Sequence, residues 1–523
     1  MKHRSLVGGI AFIVAGAVIG GMFVGRAESG TDTSPDRLGT YTQLVSLVQA
    51  RAADEVDPRV AIEGSIRGML RSLDPHSNYL DPEDYRGMLE EQHGSFSGLG
   101  IVISKPSLDK PLTVISPLEE TPAWRAGIRA GDVISQIEGV DTLDMDIDDA
   151  LRLLKGPRGT RVSITVTRPG YDEVLHFTIT RDKIKTRSIR QAFLVHPGTG
   201  YIRIENFTRT TDRELEQRLR DLRAAGMERL ILDLRRNPGG LLEQAVRVSD
   251  RFLKKSQMIV YTRGRIRGSD QEFRSTGEGV RNELPLVVLV DKYSASASEI
   301  VAGALQDHDR ALIVGNTTWG KGLVQTVYPL SHDAALALTT ARYYTPSGRL
   351  IQRDYHSLED YLSYEENLDE AITPSSEVRR TDGGRTVYGG GGIRPDVIVP
   401  IPERSRFIDR LERGQMFFHF AIHYNTKRKL IPRGFEVTDA TIEEFKRFLT
   451  ARKFEWTDEQ IIETRQRLSN EIEEAIASAL WGLEAGYKVY ARTDPQIQKA
   501  LELFPEARQL AELSDGPETV TPR

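Results

Sequence analysis

The stretch from residue 285 to residue 325 constrains the fold of this chain more than any other. An apolar run at residues 285–291 ends in a turn in which Ser294, Ser296 and Ser298 alternate with alanines, and a helical pattern follows at once. Strand, small-residue turn and helix in this order are typical of a layered α/β fold. The same order predicts a hydroxyl exposed at a strand-to-helix turn, where many hydrolases carry a serine nucleophile.

A second short strand, at residues 311–315, leads to a loop in which Lys321 lies between Gly320 and Gly322, with Gln325 four residues after the lysine. A serine hydroxyl attacks well only when a base removes its proton. Lysine can be that base if its amine is neutral near pH 7, which burial or a nearby positive charge promotes. The pattern is compatible with a Ser/Lys pair. The alternative is a purely structural role, in which the serines cap the helix and Lys321 is a solvated loop residue.

The same lysine could belong to a phosphate-binding loop, because Gly315 precedes Gly320 and Lys321 at nearly the spacing of a Walker motif. That motif continues with a Ser or Thr that binds magnesium and with a helix. Here Gly322 follows, and residues 323–328 alternate like a strand. The sequence therefore disfavours nucleotide binding.

Residues 291–305 (DKYSASASEIVAGAL) and 320–325 (GKGLVQ) closely resemble the C-terminal processing peptidases, also called tail-specific proteases, which are PDZ-containing serine peptidases with a Ser/Lys dyad. The resemblance implies that Ser296 is the nucleophile, that Lys321 is the general base and that Gln325 orients the lysine. The residues alone do not choose among the three serines.

Four further segments carry the same resemblance in the same order along the chain. It therefore covers most of the sequence and implies a ClpP/crotonase-like protease core. The segments are residues 69–80, 232–240, 343–349 and 391–396.

An oxyanion hole is expected beside the serine turn. The amide of Ala297 stands at the start of a helix and is well placed to donate to a developing negative charge. By analogy with the family, its partner is the amide of Gly239 or of Gly240, in a Pro-Gly-Gly turn after a buried strand. Without the resemblance, that turn would be read as a simple chain reversal.

Residues 94–182 combine short alternating strands, glycine-containing turns and a helix candidate at residues 146–154, which is typical of a PDZ domain. Such domains add a peptide as an extra strand and hold its terminal carboxylate with loop amides. The resemblance implies that this domain selects the substrate C-terminus and gates the active site, with Arg168 a candidate gating contact. A domain used only for packing is the alternative. Candidate peptide contacts are Gly98, Leu99, Gly100, Ile101 and Leu151.

The N-terminus predicts export. Lys2 and Arg4 precede an uncharged, mostly apolar run at residues 6–24, which Arg26 closes. This pattern fits a signal peptide or an uncleaved membrane anchor, and the residues do not distinguish the two. We expect a bacterial envelope protein, periplasmic or tethered to the inner membrane.

Composition narrows the function further. The chain has 523 residues, a net charge of −5 and no cysteine. It is too long for one domain, it lacks the basic excess of a nucleic-acid-binding protein, and it has no thiol chemistry. His419 and His423 are spaced i, i+4 without the Glu of a zinc protease, so no metal site is expected, and a Ser/Lys mechanism calls for no cofactor.

The predicted organisation is multidomain α/β, with an inserted PDZ domain, N-terminal helices and a C-terminal helical extension that serves homo-oligomer assembly or the docking of an activator or adaptor. The predicted segments are a signal peptide or anchor at 1–27, a linker at 28–38, N-terminal helices at 39–93, the PDZ domain at 94–182, the Ser/Lys protease core at 183–402 with a polar insertion at 357–387, the helical domain at 403–513 and a disordered tail at 514–523.

The function predicted from these features is that of an exported serine endopeptidase that cleaves proteins or peptides near apolar C-termini recognised by its PDZ domain. Two alternatives remain open. One is a PDZ-type binding scaffold on an inactive protease-like core. The other is a crotonase-like acyl-transfer enzyme, because the same core fold serves both chemistries.

Overall fold

A computed structural model of the chain describes most of its residues, and these divide into two compact units. The predicted export segment lies outside the described residues, as does the predicted tail except for Ser514. Within the described ranges, no helix is both long enough and apolar enough to cross a membrane. The described ranges are 34–278, 284–354, 377–400, 405–428 and 430–514.

The first unit comprises, among the described residues, 34–85 and 325–340. Asp57 caps its second helix by accepting a hydrogen bond from the Arg59 amide, and β1 pairs antiparallel with β18. Because the first helix begins at Ser34, residues 34–38 are helical rather than part of a linker. The elements are α1 (Ser34–Arg51), α2 (Pro58–Arg71), β1 (Asn78–Leu80), the start of α3 (Pro82–His93), most of β17 (Leu323–Pro329) and the first part of β18 (Ala335–Tyr344). The sequence predicted two helices in this region and missed α3.

The PDZ domain opens the second unit. Its strands β3, β4, β5, β7 and β8 form one antiparallel sheet in that order, which leaves β3 at an edge, while β2 pairs with β9 where the chain enters and leaves the domain. The short strands predicted for this region are present, and the predicted helix begins one residue later than expected. The elements are β2 (Ser95–Gly98), β3 (Ile101–Ser104), β4 (Thr113–Pro117), α4 (Pro122–Ala126), β5 (Val133–Ile137), β6 (Val140–Asp141), α5 (Ile147–Leu154), β7 (Arg161–Thr167), β8 (Leu175–Thr180) and β9 (Asp182–Lys185).

The protease core is built on a six-stranded sheet in the order β10-β11-β12-β15-β16-β21, parallel from β11 onward. Helices α6, α7 and α8 pack on one face, and helices of the C-terminal extension cover the other. Because both faces are buried, the central strand β15 is an unbroken apolar run. This confirms the predicted α/β class. The elements are β10 (Gln191–His196), β11 (Thr199–Arg203), α6 (Thr211–Ala224), β12 (Arg229–Asp233), α7 (Leu242–Asp250), β15 (Leu286–Val290), α8 (Ala297–Asp307), β16 (Leu312–Gly315) and β21 (Val397–Ile398).

A smaller layer adds β13 (Met258–Gly264), which pairs antiparallel with β14 (Gln271–Arg274) and with the last four residues of β18. The predicted polar insertion is described only from residue 377 onward. There it forms a hairpin of β19 (Val378–Arg380) and β20 (Thr386–Tyr388), and Asp382 in the turn accepts a hydrogen bond from His308 of the core.

The C-terminal extension has two packing roles. Helices α9 to α13 enclose a hydrophobic cluster of their own, whereas α14 to α16 cover the second face of the core sheet. Thr457 and Gln460 form a capping box at the start of α12. The elements are α9 (Arg406–Arg413), α10 (Met416–Thr426), α11 (Asp439–Ala451), α12 (Asp458–Glu463), α13 (Arg465–Trp481), α14 (Leu483–Ala491), α15 (Pro495–Glu502) and α16 (Phe504–Ser514).

Candidate active site

The three alternating serines have different surroundings. The Ser294 hydroxyl donates to the Leu234 carbonyl over 2.8 Å, and the Ser298 hydroxyl donates to the Asn237 carbonyl over 3.0 Å. Both side chains are buried, whereas Ser296 is half-buried. The hydroxyls of Ser294 and Ser298 therefore stabilise the turn, and Ser296 is the serine whose side chain is partly accessible.

The backbone of Ser296 is strained. Its φ of 54° and ψ of −112° lie where non-glycine residues are rarely found, at a cost of about 1–3 kcal/mol. The surrounding hydrogen bonds hold this conformation, because the Ser296 carbonyl accepts from the amides of Glu299 (2.9 Å) and Ile300 (3.0 Å). Ala297, the next residue, begins α8. A strained residue between a strand and a helix is the geometry of a nucleophile elbow.

The lysine loop depends on its two glycines. A Cβ on Gly320 would lie 3.0 Å from the Gly392 amide nitrogen, and one on Gly322 would lie 2.8 Å from the Gln352 amide nitrogen. The Trp319 amide donates to the Ser294 carbonyl over 2.9 Å. Backbone therefore packs closely against both glycines, and the loop that carries half-buried Lys321 is tied to the serine turn.

Glu299, which sequence reasoning did not single out, joins the two loops. Its carboxylate is fully buried; Oε1 accepts from the Thr318 hydroxyl (2.5 Å) and the Gly320 amide (2.7 Å). Oε2 accepts from the amides of Ser296 (2.8 Å) and Lys321 (2.9 Å). One oxygen atom thus holds the backbones of both predicted dyad residues.

Burial raises the pKa of Glu299 to about 7, against the opposing pull of these hydrogen bonds. The sequence does carry a signal for this residue. Ser296 and Glu299 have the S-x-x-E spacing of a capping box, in which the Glu side chain reaches back to the amide of the first residue.

Tyr343 fixes the same two residues from their carbonyl side. Its side chain is 1% exposed, and its hydroxyl lies within hydrogen-bonding distance of the Ser296 carbonyl (3.1 Å) and of the Lys321 carbonyl. A hydroxyl has one proton, so the two carbonyls share it. Tyr343 begins one of the segments that carry the family resemblance, but nothing in its sequence context indicates this contact.

The glycine turn lies directly against the serine turn. A Cβ on Gly239, whose φ is 105°, would lie 2.8 Å from Ser296 Cβ and 3.0 Å from the Ala297 amide nitrogen. The first amides of a helix have no acceptor within it, which leaves the Ala297 amide available to a ligand. The Gly239 amide donates to Asn237 Oδ1 over 2.9 Å, and Gly240 follows with a φ of 138°.

A buried ion-pair network fixes the strand that leads into the glycine turn. Arg235 is buried, and its guanidinium contacts Asp233 at 2.7 Å and Asp494 at 2.9 Å, while the Tyr201 hydroxyl donates to Asp233 over 2.6 Å. Asp494 also caps α15. The start of α15 is therefore anchored to Arg235, a few residues from the candidate oxyanion hole.

Gln325 belongs to the first unit, where its side-chain amide donates to the Thr339 hydroxyl over 3.3 Å. The role predicted for it toward Lys321 stays a prediction.

The predicted carboxylate loop of the PDZ domain requires glycine. Gly100 has a φ of 78°, and a Cβ there would lie 2.4 Å from Thr121 Cβ. The Leu99 side chain is buried in the PDZ core, and Gly98, at the end of β2, packs against the Phe96 ring.

The remaining predicted peptide contacts lie in two elements. Ile101 begins β3, the edge strand, and Leu151 of α5 is 36% exposed. Strand addition needs a free strand edge and an accessible apolar side chain.

Arg168 contacts other parts of the PDZ domain. Its guanidinium pairs with Asp132 at 2.7 Å, donates to the Gly127 carbonyl over 2.8 Å and lies over the Tyr171 ring. A gating role stays a prediction.

His419 and His423 lie in α10, and burial lowers the pKa of His419 to about 4. The His423 ring lies 5.3 Å from the Phe448 ring. In the described part of the chain, no three acidic or histidine side chains are grouped so that they could bind a metal ion.

Comparison with known families defines the class of protein first. The chain matches Peptidase family S41 over residues 198–357 and a PDZ domain over residues 113–168. It also matches the C-terminal helical domain of a probable PDZ-protease over residues 407–463. The domains are therefore those of an S41 serine peptidase with a PDZ domain and a helical extension.

Curated relatives identify the family. The chain is 40% identical to a carboxy-terminal-processing protease of Bartonella bacilliformis over 412 residues, which cover 76% of this chain and 85% of the relative. It is 32% identical to the carboxy-terminal processing protease CtpA of Bacillus subtilis, over 63% of this chain and 69% of the relative. The chain belongs to the carboxy-terminal processing proteases, as its motifs predict.

Among solved structures, the photosystem II D1 C-terminal processing protease aligns with 28% identity and a TM-score of 0.36 over 69% of this chain and 86% of that one.

Proposed function

We propose that this protein is an exported serine endopeptidase in which Ser296 is the nucleophile and Lys321 the general base. The observation that carries the proposal is that Glu299 Oε2 binds the amides of both residues, at 2.8 and 2.9 Å. A second support is that the hydroxyls of Ser294 and Ser298 are both bonded to main-chain carbonyls, which leaves Ser296 as the serine on the strained turn.

The proposed reaction follows the nucleophilic template. Neutral Lys321 takes the proton of Ser296 as the hydroxyl oxygen attacks the scissile carbonyl carbon. The resulting oxyanion accepts hydrogen bonds from the amide of Ala297 and from that of Gly239 or Gly240. Lys321 then protonates the leaving amine, and water hydrolyses the acyl-enzyme by the same route. Gln325 would orient the lysine.

The two glycines are not equivalent in this role. The Gly239 amide donates to Asn237 Oδ1, so it could serve the oxyanion only by giving up that bond. This favours Gly240 as the donor in the conformation described.

The PDZ domain would select substrates by their apolar C-termini. The Gly98–Ile101 loop would hold the terminal carboxylate, β3 would pair with the peptide backbone and Leu151 would contact an apolar side chain. Support comes from the open edge of β3 and from the exposure of Leu151. Strand addition gives affinity through the backbone, while the side-chain pocket gives specificity.

Export rests on the N-terminal sequence: Lys2, Arg4 and the apolar run at residues 6–24. We propose a periplasmic location or an inner-membrane tether. The helical extension is the candidate surface for a homo-oligomer or for an activating adaptor protein.

The test is cleavage of an unstructured polypeptide with an apolar C-terminal sequence, followed by mass spectrometry of the fragments. Ser296→Ala and Lys321→Ala should each abolish cleavage. The matched controls are Ser298→Ala, which removes a neighbouring hydroxyl, and Lys255→Ala, which removes an exposed lysine. Both controls should retain activity, although the loss of the Ser298 hydrogen bond should slow the enzyme.

Equal cleavage by wild type and Lys321→Ala would refute the dyad. If neither the wild type nor any variant cleaves, the wild type is treated with a serine-directed fluorophosphonate. A latent enzyme would be labelled slowly at Ser296, whereas an inactive scaffold would not be labelled. Family membership favours the peptidase over that scaffold and over an acyl-transfer enzyme.

A further inference from the structure

A large open cavity lies in the second unit, between the PDZ domain and the C-terminal helices. Its volume is about 1570 Å³. The lining comes from α4 and β9 on the PDZ side and from α10 and the junction of α13 with α14 on the helical side. Neither the Ser296 turn nor the Lys321 loop contributes to it, so this cavity is distinct from the candidate active site.

The cavity carries an excess of positive charge although the chain as a whole has a net charge of −5. Among its lining acids, Asp182, Glu473 and Glu484 are each paired with a cation. Glu119 and Glu120 are the two other lining acids. Within the described ranges, six exposed lining cations have no carboxylate at ion-pair distance. They are Arg125, Arg129, Lys183, Lys185, Arg187 and Arg433.

Two of these cations follow the period of a strand. Lys183 and Lys185 flank Ile184 in β9; Ile184 is 1% exposed, so the two lysines point to the opposite face. Alternate side chains on one face of a strand stand about 7 Å apart. An extended polypeptide has the same period, so carboxylates at every second residue would meet the two lysines in register. Arg187 adds a third positive charge just after the end of β9.

The cavity also presents apolar surface. Trp124 is 51% exposed and Leu483 is 38% exposed, and both belong to the lining. An inorganic polyanion would use only the charges. A polypeptide with acidic and apolar side chains would use both kinds of surface.

The cavity adjoins the predicted carboxylate loop. Thr121, a lining residue, donates its hydroxyl to the Gly100 carbonyl over 3.2 Å, and the amide of Leu118, another lining residue, donates to the same carbonyl over 2.9 Å. A polypeptide held at the carboxylate loop would therefore lie beside the charged lining.

We propose that this cavity binds an acidic, extended segment of the polypeptide substrate, in addition to the apolar C-terminus held at the PDZ edge. The proposal rests on the proposed function, because it assumes a polypeptide substrate. It adds a substrate class: proteins whose unstructured ends carry acidic residues at alternate positions.

The test compares two unstructured polypeptides of equal length and identical apolar C-terminal sequence. One carries aspartates at alternate positions in its middle segment, and the other carries asparagines there. The full-length chain is compared with a Lys183→Gln/Lys185→Gln variant. A Lys110→Gln/Arg161→Gln variant is the matched control, because it removes the same charge from exposed PDZ residues outside the lining.

Wild type should show a KM for the acidic polypeptide about three- to tenfold below that for the neutral one, at low ionic strength. The Lys183/Lys185 variant should lose most of that preference, and the control variant should keep it. No preference in wild type, or a preference that the cavity variant retains, would overturn the proposal.

Binding of the same labelled polypeptides to Ser296→Ala, measured by fluorescence anisotropy, gives a readout that does not need catalysis. Failure of the proposed function would abolish cleavage of both polypeptides while this binding preference persisted. A single-stranded oligonucleotide that displaced the acidic polypeptide at lower concentration would instead identify the cavity as a nucleic-acid site and refute the proposal.

Discussion

At the turn that carries Ser296, nearly every contact is internal, whereas at the PDZ edge the important groups are open. Glu299 is fully buried and accepts four hydrogen bonds, and Tyr343 is 1% exposed. Leu151 of the PDZ domain is 36% exposed, and β3 has one unpaired edge. In the serine turn, hydrogen bonds within the protein fix the positions of the atoms. At the PDZ edge, backbone and apolar groups remain accessible to a ligand.

The difference separates two kinds of failure. Substitutions in the serine turn should lower the rate of chemistry, because they disturb geometry that no substrate can restore. Substitutions at the PDZ edge should weaken binding and leave the chemical step intact. Five predictions follow this division, from the largest effect to the smallest.

Glu299→Gln should have the largest effect. A glutamine places an NH2 group against amide donors. Either the Gly320 amide or the amides of Ser296 and Lys321 then lose their acceptor, at about 1.5–3 kcal/mol for each bond lost. We expect kcat to fall by about 100-fold or more. Steady-state kinetics and labelling by a serine-directed probe measure this. Glu243→Gln, at an exposed position of α7, is the control and should be silent. A fall confined to KM would place Glu299 with the binding surface instead.

The pH dependence of activity and of stability should both reflect titration of the Glu299 carboxyl. Its pKa of about 7 lies above the ordinary value of 4.5, so the carboxylate that accepts the four hydrogen bonds is lost as the pH falls through 7. Activity should therefore decline on the acid side of pH 7. Stability should move the other way: a raised folded-state pKa gives a contribution that is complete below pH 4.5 and is lost as pH rises through 7.

The reaction rate and the melting temperature should be measured against pH for the wild type and for Glu299→Gln. The difference between the two proteins gives the part of each pH dependence that comes from Glu299. If activity and stability declined together on acidification, titration of Glu299 would not be the cause.

Tyr343→Phe should slow the reaction by about tenfold, a loss of about 1.4 kcal/mol, because one hydroxyl shared by two carbonyls is removed without changing the shape of the side chain. Tyr344→Phe is the matched control; its ring stacks on Tyr261. The expected change is in kcat with KM preserved. A structural defect alone would lower the melting temperature without changing the rate of serine labelling relative to folded protein.

Gly100→Ala should act at the binding step. The added Cβ would lie 2.4 Å from Thr121 Cβ, so the predicted carboxylate loop must shift. We expect KM for a polypeptide with a free C-terminus to rise by roughly fivefold with kcat unchanged. Gly139→Ala is the matched control, since its φ of 77° is nearly the same and no atom lies within 4 Å of its added Cβ. If both variants behaved alike, backbone strain and not the loop would explain the result.

Leu151→Ala should have the smallest effect. A side chain that is 36% exposed leaves little cavity when shortened, so stability should change by less than about 1 kcal/mol. Affinity for a peptide with an apolar C-terminal residue should fall about two- to fivefold, measured by anisotropy. Affinity for a peptide with a polar terminus should not change.

Much of the architecture could be predicted from local patterns. The strands β15 and β16, and the apolar centre of β12, were evident because both faces of a parallel sheet are buried and such strands are rich in apolar residues. Glycines 320 and 322 marked the lysine loop, and in the structure other backbone atoms pack closely against both. The PDZ strands followed from their alternation, and the Thr457 capping box from its spacing.

Other features depended on contacts between distant parts of the chain. Helix α3 was missed because its residues show no apolar stripe, and none of them is buried. The two roles of the C-terminal extension were not separable from sequence, since helical periodicity is the same whether a helix packs on its own bundle or on the core sheet.

The sequence by itself determined which residue types are available for chemistry, where the strand-to-helix turn and the lysine loop lie, and to which family the chain belongs. Only the tertiary structure decided how the three serines differ. The hydroxyls of Ser294 and Ser298 are bonded to carbonyls 60 and 61 residues away, and no local pattern encodes such a partner. The same holds for Tyr343, whose hydroxyl contacts carbonyls 47 and 22 residues earlier. Hydrogen bonds across loops exist only once the sheet has brought those loops together.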